Sequence, residues 1–203
     1  MTTTHTDAPA PPARRPRGRP RDPRVEGAVV GATRDLLLEH GFGHLSIAGV
    51  AEAAGVGKGT IYLRWPDKES LVVAALAEVW GPVTDPDTGT LEGDLGSIMR
   101  TVRSHFNGIS GRLLAAVVGE MPRHRTLQRL WADHVIDPWL AVMAEVFRRA
   151  VERGEMRAGI DPDIATDALL GPVLGITAVR GQRVTPQQGD VFLGIFLGGV
   201  ARR

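Results

Sequence analysis

Residues 45–65, LSIAGVAEAAGVGKGTIYLRW, decide the fold because they predict two short helices joined by a tight turn. Ser46 can cap the first helix, since its hydroxyl can accept a hydrogen bond from a free backbone N–H. Gly55 stands where a positive φ closes that helix. Ile61 and Trp65 lie four residues apart and face inward in the second helix. The pattern predicts a helix-turn-helix, whose second helix enters the DNA major groove, although an ordinary αα-hairpin has the same spacing.

The flanking sequence favours the DNA-binding alternative. Asp22 and Pro23 can start a preceding helix, which is expected to stop at Gly41. Residues 66–69, PDKE, start a following helix with an apolar stripe. Helices in this order predict a DNA-binding domain over residues 22–80.

Several spaced motifs carry a family resemblance: Gly41-Phe42, Val50-Ala51, Ala54-Gly55-Val56, Lys58-Gly59-Thr60-Ile61-Tyr62, Trp65-Pro66 and Lys68-Glu69-Ser70-Leu71. In order and spacing they resemble the DNA-binding domain of the tetracycline-repressor (TetR) family. The resemblance implies an all-α protein, in which a three-helix helix-turn-helix domain precedes a larger helical domain for ligand binding and dimerisation. It also implies that the protein regulates transcription.

The resemblance assigns residues to the DNA interface. The positions that match DNA-contacting residues of the family are Ser46, Lys58, Gly59, Thr60, Tyr62, Arg64 and Lys68. Ala48, Gly57 and Leu63 depart from the family pattern, which often has polar or basic side chains there. Fewer polar groups therefore face the bases, and the N-terminal arm is expected to compensate.

Residues 1–21 form an arm rich in Arg and Pro, which cannot bury a core and is expected to be disordered. Within it, residues 15–21, RPRGRPR, resemble an AT-hook. Arg17 and Arg19 are expected to enter the minor groove of A·T-rich DNA, where the negative potential is concentrated. A basic tail that binds phosphates without sequence preference is the alternative.

The periodicity from residue 90 to residue 203 predicts a second, helical domain after a loop over residues 81–89. The third of its helices is expected to break near Asp137-Pro138, because proline disfavours helical geometry in the residue before it. The expected helices lie near residues 91–107, 110–120, 124–153, 162–179 and 186–201.

Small residues spaced four apart mark the last two helices, and such residues let helices approach closely. We expect these helices to form a homodimer interface, since a dimer is what reading a palindromic operator requires. Close packing within a single chain is the alternative. The residues expected at the interface are Gly171, Gly175, Phe192, Gly194, Ile195 and Gly198.

The helices between residues 91 and 145 are expected to enclose an effector pocket, as the resemblance implies. Each aromatic candidate is also an ordinary core residue by its spacing. The expected lining, which predicts a largely apolar small-molecule effector, is Met99, Phe106, Met121, Trp131 and Trp139, with Trp80, Met143, His105 and His134 as further candidates.

Composition and residue spacing bear on the cellular location of the protein and on other kinds of site. The net charge is only +1, and the chain has no cysteine, which agrees with a cytoplasmic protein. His105, His124 and His134 lack spaced carboxylate or cysteine partners, so no metal site is expected. No cofactor, catalytic arrangement, secretory signal or membrane span is expected either.

The sequence therefore predicts a cytoplasmic, homodimeric repressor that leaves its double-stranded DNA operator when a small molecule binds. A DNA-binding protein that does not respond to a ligand is the alternative, whether a constitutive repressor, an activator or an architectural factor.

Overall fold

The computed structural model describes residues 23–201, and within that range the protein is helical and has no strand. Met156 and Ala201 form an isolated antiparallel bridge. The helices, in chain order, are α1 (Pro23–His44), α2 (Ile47–Ala53), α3 (Lys58–Tyr62), α4 (Lys68–Trp80), α5 (Leu91–Asn107), α6 (Ile109–Val118), α7 (Arg125–Trp131), α8 (Asp137–Glu152), α9 (Pro162–Leu174) and α10 (Pro186–Val200). The prediction of an all-α protein is confirmed.

The helix does not break near Pro138, so the prediction of a break was wrong. A π-helical turn, Ala132–Ile136, joins α7 to α8, so helical backbone continues through the whole segment. Proline has no N–H and crowds the carbonyl four residues before it. The wider turn ahead of Pro138 avoids this conflict. A second π-helical turn, Gly175–Val179, extends α9.

The caps of the helix-turn-helix follow the sequence. The Ser46 hydroxyl accepts a hydrogen bond from the Gly49 N–H at 3.1 Å and begins α2. Gly55 has the positive φ, 67°, that the turn requires. Gly57 begins α3 without any side-chain cap. Within α1, Gly41 has φ 72° and ψ 173°, so the regular helix ends there as expected.

One hydrophobic core spans both segments of the chain, the first with α1 to α4 and the second with α5 to α10. Helices α1 to α4 contribute Phe42, Ile61 and Leu76, and the second segment contributes Leu127 and Trp131 from α7, all of them buried. Helices α1 to α4 are therefore packed directly against the second segment rather than tethered to it by a linker.

A second core holds the remaining helices together. Leu95 of α5, Met143 and Phe147 of α8, Leu169 of α9 and Phe196 of α10 are buried in it. The Phe147 and Phe196 rings lie 5.9 Å apart. This core fixes the position of α9 and α10 relative to α5.

The loop between the two segments is non-helical, as expected, and it is held by charged side chains. Arg149 donates to both carboxylate oxygens of Asp85 at 2.7 Å. Asp94 is fully buried and accepts hydrogen bonds from the N–H and hydroxyl of Thr88, both at 2.7 Å. Arg153 lies 3.6 Å from the other oxygen of Asp94. The loop is thereby fixed on α5 and α8.

The cap of α2 gives a test of the helix-turn-helix. Ser46→Ala removes the acceptor for the Gly49 N–H and should lower the free energy of unfolding in urea by about 1 kcal/mol. Ser46→Asp keeps an acceptor and should preserve stability. An equal loss in both variants would contradict the role of Ser46 as a cap.

Candidate DNA interface and effector cavity

Helix α3 presents one face to the core and another to solvent. Ile61 is fully buried, and Trp65 beyond its end is buried as well, so these two side chains anchor the helix. The four predicted DNA-contacting residues on the helix itself are exposed: Lys58, Gly59, Thr60 and Tyr62. Leu63, at the C-cap of α3, is 85% exposed. The exposed face of α3 is therefore small, mostly uncharged and accessible to a groove of DNA.

Two predicted DNA contacts are instead engaged within the fold. Lys68 donates from Nζ to the Phe42 carbonyl at 3.1 Å and lies 4.0 Å from the centre of the Phe42 ring. Arg64 forms an ion pair with Glu26 of α1. Sequence spacing placed both residues beside α3, but it did not reveal their partners on α1, which are a neutral carbonyl and ring for Lys68 and a carboxylate for Arg64. Ser46 is exposed, and its hydroxyl serves as the cap of α2.

The predicted contacts of the arm, Arg17 and Arg19, lie outside the described residues. The same holds for the rest of the stretch 1–21.

An apolar cavity of about 350 Å³ lies where the two cores meet. Phe106, Trp131 and Trp139 line it, as does Trp80. The other lining residues come from α5 to α9 and from the first π-helical turn: Val102, Leu114, Val118, Val135, Ile136, Leu140, Thr166, Asp167, Leu170, Gly171 and Leu174. The sequence-based expectation stopped at residue 145, so it missed the wall formed by α9.

Met99 and Met121 do not line this cavity. Met99 packs under Gly189 of α10, where a Cβ would lie 3.3 Å from its Cγ. Met121 begins a short 3₁₀ turn, Met121–Arg123, and is buried in the core shared by the two segments. The additional candidate Met143 is fully buried in the second core. The hydrophobic pattern does not fix how each helix is rotated about its axis. In the observed packing, none of the three methionines lines this cavity.

Trp80 and His105 lie together beside the cavity. The two rings meet edge to face at 5.2 Å. Burial lowers the pKa of His105, which keeps its imidazole neutral at pH 7. Neither Trp80 Nε1 nor His105 Nδ1 has a hydrogen-bond partner among the described residues, although both atoms are buried.

A polar junction connects α7 to the DNA-binding helices. His124, just before α7, has Nδ1 3.2 Å from a carboxylate oxygen of Glu69 in α4. Its ring also packs edge-on against Phe42, with centroids 4.8 Å apart. Trp131 at the other end of α7 lines the cavity. A single helix of seven residues therefore touches both the cavity and the DNA-binding helices.

The last helices carry an exposed face of small and apolar residues. Gly171, Gly194, Gly198 and Ile195 are exposed, while Gly175 and Phe192 are half-buried. A Cβ added at any of these four glycines would meet nothing within 4 Å in the same chain. Close packing within one chain therefore gives no reason for glycine at these positions.

The sequence matches known families in both segments. Residues 29–75 match the family described as bacterial regulatory proteins, tetR family. Residues 85–193 match the family described as tetracyclin repressor-like, C-terminal domain. The chain belongs to the TetR family.

Relatives agree with this membership. An uncharacterised HTH-type transcriptional regulator of Mycobacterium tuberculosis is 33% identical over 162 residues, 75% of this chain and 78% of the relative. The DNA-binding transcriptional repressor TetR of Mycobacteroides abscessus is 33% identical over 138 residues, 67% of this chain and 72% of the relative. This TetR-family protein is accordingly a DNA-binding transcriptional regulator.

Solved structures share the fold. FadR of Bacillus subtilis, in a crystal structure with stearoyl-CoA, matches with a TM-score of 0.66 and 16% identity, covering 86% of this chain and 99% of that one.

Two further findings concern other kinds of site. Among residues 23–201, no group of three or more His, Cys, Asp or Glu side chains is arranged to hold a metal ion. The segment Pro162–Val179 is long and apolar enough to cross a membrane by length and composition, and 28% of it is buried in the protein.

The two lysines of this TetR-family protein give a matched test of the DNA interface. Lys58→Ala should reduce the slope of log affinity against log salt by about 1 for each subunit bound, and so by about 2 for a dimer, because each subunit loses one phosphate contact. Lys68→Ala should leave the slope unchanged, because the Lys68 ammonium group is held by the carbonyl and ring of Phe42 and is not expected to contact a phosphate. Fluorescence anisotropy on a site selected from random-sequence DNA measures both slopes. Equal changes in the two variants would contradict the assignment.

Proposed function

We propose that this regulator is a homodimeric repressor that leaves a palindromic operator when a small apolar molecule fills the cavity between α5 and α9. The observation that carries the proposal is the position of α7, which touches the cavity at Trp131 and the DNA-binding helices through His124. A ligand that displaced α7 would therefore act directly on α4.

DNA contact is proposed for the exposed side of α3, through Lys58, Gly59, Thr60 and Tyr62. Gly59 allows close approach of the backbone, Thr60 can reach a base edge, and Tyr62 and Lys58 can contact phosphates. The two arginines proposed for the minor groove, Arg17 and Arg19, would add sequence-dependent affinity next to this contact. Such a regulator would act on chromosomal DNA in the bacterial cytoplasm.

Dimerisation is proposed through α9 and α10. Ile195 is 71% exposed and Val179 is 83% exposed, next to glycines that have open space above them. Burying this apolar face against the same face of a second copy would remove it from water. The low burial of the segment Pro162–Val179 leaves an apolar surface for a partner to cover. Asp163 and Asp167 lie within this segment, and charged side chains favour a protein partner over a membrane.

The dimer and the cavity share α9. Gly171 belongs to the small-residue face and also lines the cavity. A ligand in the cavity would therefore press on the dimer contact as well as on α7. The α3 helices of the two copies bind together only if they match successive major grooves, about 34 Å apart. The effector would favour a dimer geometry in which this spacing is lost.

A protein of the same fold and a relative support a ligand-responsive repressor. FadR of Bacillus subtilis, which shares the fold, was solved with stearoyl-CoA bound. The Mycobacteroides abscessus relative is named as a repressor.

The dimer contact can be tested with glycine variants. Gly194→Leu and Gly198→Leu should each yield monomers and lose operator binding, because a bulky side chain blocks close approach of the partner helix. Light scattering after size exclusion measures the mass. Leucine favours a helix over glycine by up to about 1 kcal/mol, so unfolding is not the expected cause. Gly119→Leu, at another exposed glycine with open space, should remain dimeric. Dimeric masses for both α10 variants would refute the interface.

The effector cavity can be tested by filling it. N-phenyl-1-naphthylamine, a neutral dye that fluoresces in apolar sites, should bind the wild-type protein, and compounds that displace it should release operator DNA. Leu140→Trp puts a large ring into the cavity and should weaken dye binding at least tenfold, and it should weaken operator binding in the absence of any ligand because the ring occupies the place of the effector.

The control is Leu140→Met, which conserves size and should keep both dye binding and release. If no compound that enters the cavity releases the DNA, the protein is a DNA-binding regulator that does not respond to a ligand.

A further inference from the structure

The wall of the proposed effector cavity carries no positive charge among the described residues. Four aromatic rings contribute to it, and Asp167 is the one lining residue that carries a formal charge among those described. No Lys, Arg or His of the described range lines it. Moving a carboxylate or phosphate out of water is costly unless a cation or several N–H groups pair with it. The wall offers no such set of partners, so it disfavours an anion.

Trp80, a residue of this wall, has a buried hydrogen-bond donor without a partner among the described residues. Trp80 is 8% exposed, and its Nε1 has no acceptor among the described residues. Buried N–H groups in native proteins are almost always paired. A bound ligand whose carbonyl, ether or ring nitrogen reached this buried Nε1 would supply the missing acceptor.

The α9 side of the wall offers acceptors instead. The Thr166 hydroxyl donates to the Pro162 carbonyl at 2.8 Å, which leaves its oxygen lone pairs available. Asp167 is exposed at the rim and is paired with no other described residue. These two oxygens would accept hydrogen bonds from an amine or hydroxyl group, and Asp167 would attract a positive charge.

The aromatic rings extend the same preference. The faces of Trp and Phe rings carry negative potential, so they attract cations and stack on flat aromatic ligands. Trp131 and Trp139 lie on α7 and α8, and Phe106 faces them from α5. Ring faces turned toward the cavity would select in the same direction as the carboxylate.

We infer that the effector is a neutral or cationic aromatic molecule, with a hydrogen-bond acceptor for the Trp80 N–H and a donor for Asp167. This inference rests on the proposed effector cavity and names the ligand class for it. A phosphate-bearing acyl thioester, such as the ligand of the FadR structure, does not match this wall.

Three dyes test the charge preference in the full-length protein. N-phenyl-1-naphthylamine is neutral, and 8-anilinonaphthalene-1-sulfonate has the same aromatic skeleton with an added anionic sulfonate. Auramine O is a cationic diaryl dye. The neutral and cationic dyes should bind at least tenfold more tightly than the sulfonate in fluorescence titrations. Stearoyl-CoA should fail to displace the neutral dye at concentrations equal to that of the protein.

A variant that reverses the charge of Asp167 tests the charge preference most directly. Asp167→Lys should weaken auramine O at least tenfold and tighten the sulfonate, while the neutral dye is unchanged. Asp163→Lys changes the same charge on α9 at a residue that does not line the cavity, and it should alter none of the three affinities.

A matched pair of neutral ligands tests the donor. Phenyl 1-naphthyl ketone should displace the dye more strongly than 1-benzylnaphthalene, which has a methylene group in place of the carbonyl. Trp80→Phe keeps an aromatic ring and removes the N–H, so it should abolish this preference. Retained operator binding in each variant shows that the fold is intact.

The outcomes separate the two levels of the proposal. Equal binding of neutral and sulfonated dyes, insensitive to Asp167→Lys, would overturn the inferred class and leave the effector cavity standing. An unchanged ketone preference in Trp80→Phe would likewise overturn the role of the indole donor. Failure of all three dyes to bind, with operator binding intact, would overturn the cavity as an effector site.

Discussion

The packing of Trp80 is the interaction on which the rest of the structure depends. Trp80 is the last residue of α4, and its ring meets those of His105, Phe106 and Trp131 edge to face, at centroid distances of 5.2, 5.2 and 5.7 Å. Such aromatic pairs contribute about 0.5–1.5 kcal/mol each beyond the area they bury. The same ring closes the DNA-binding core and forms part of the cavity wall. The position of α3 and the shape of the cavity therefore depend on the same side chain.

This sharing has consequences for regulation. A molecule in the cavity would lie against Trp80, at the end of α4, and against Trp131, at the end of α7. Helix α7 returns to α4 through His124 and Glu69, so the two contacts close a loop around the shared core. The π-helical turn beyond Trp131 also lines the cavity, and such turns are frequent at functional sites. A tightly packed core responds to a ligand by shifting between arrangements rather than by local deformation.

The proposed DNA-binding surface carries few available positive charges. Of the three basic residues between positions 58 and 68, Arg64 and Lys68 are committed to Glu26 and Phe42. Lys58 remains exposed on α3, beside Gly59, Thr60 and Tyr62. Affinity for DNA depends mainly on neutralised phosphates. A surface with so few available cations gains affinity from a second copy and from further arginines, which is why the dimer contact and the N-terminal arm are central to the proposed function.

Local sequence determined the elements of this protein. The hydroxyl of Ser46, the glycine at position 55 and the spacing of Ile61 and Trp65 act within a few residues, so the helix-turn-helix could be predicted from them. The helix boundaries of the second segment followed from periodicity for the same reason. Pro138 shows the limit, because a rule about the preceding residue predicted a break and the backbone widened into a π-helical turn instead.

Tertiary structure alone decided how the side chains are used. The acceptors for Lys68 and Arg64 lie on α1, 26 and 38 residues away along the chain. Met99 and Met121 turned into the cores, while α9 supplied a cavity wall with Asp167 that no local pattern indicated. Periodicity shows that a helix has an apolar face but not which neighbour covers it. The relative rotation of packed helices settles that question, and it depends on contacts between residues far apart in sequence.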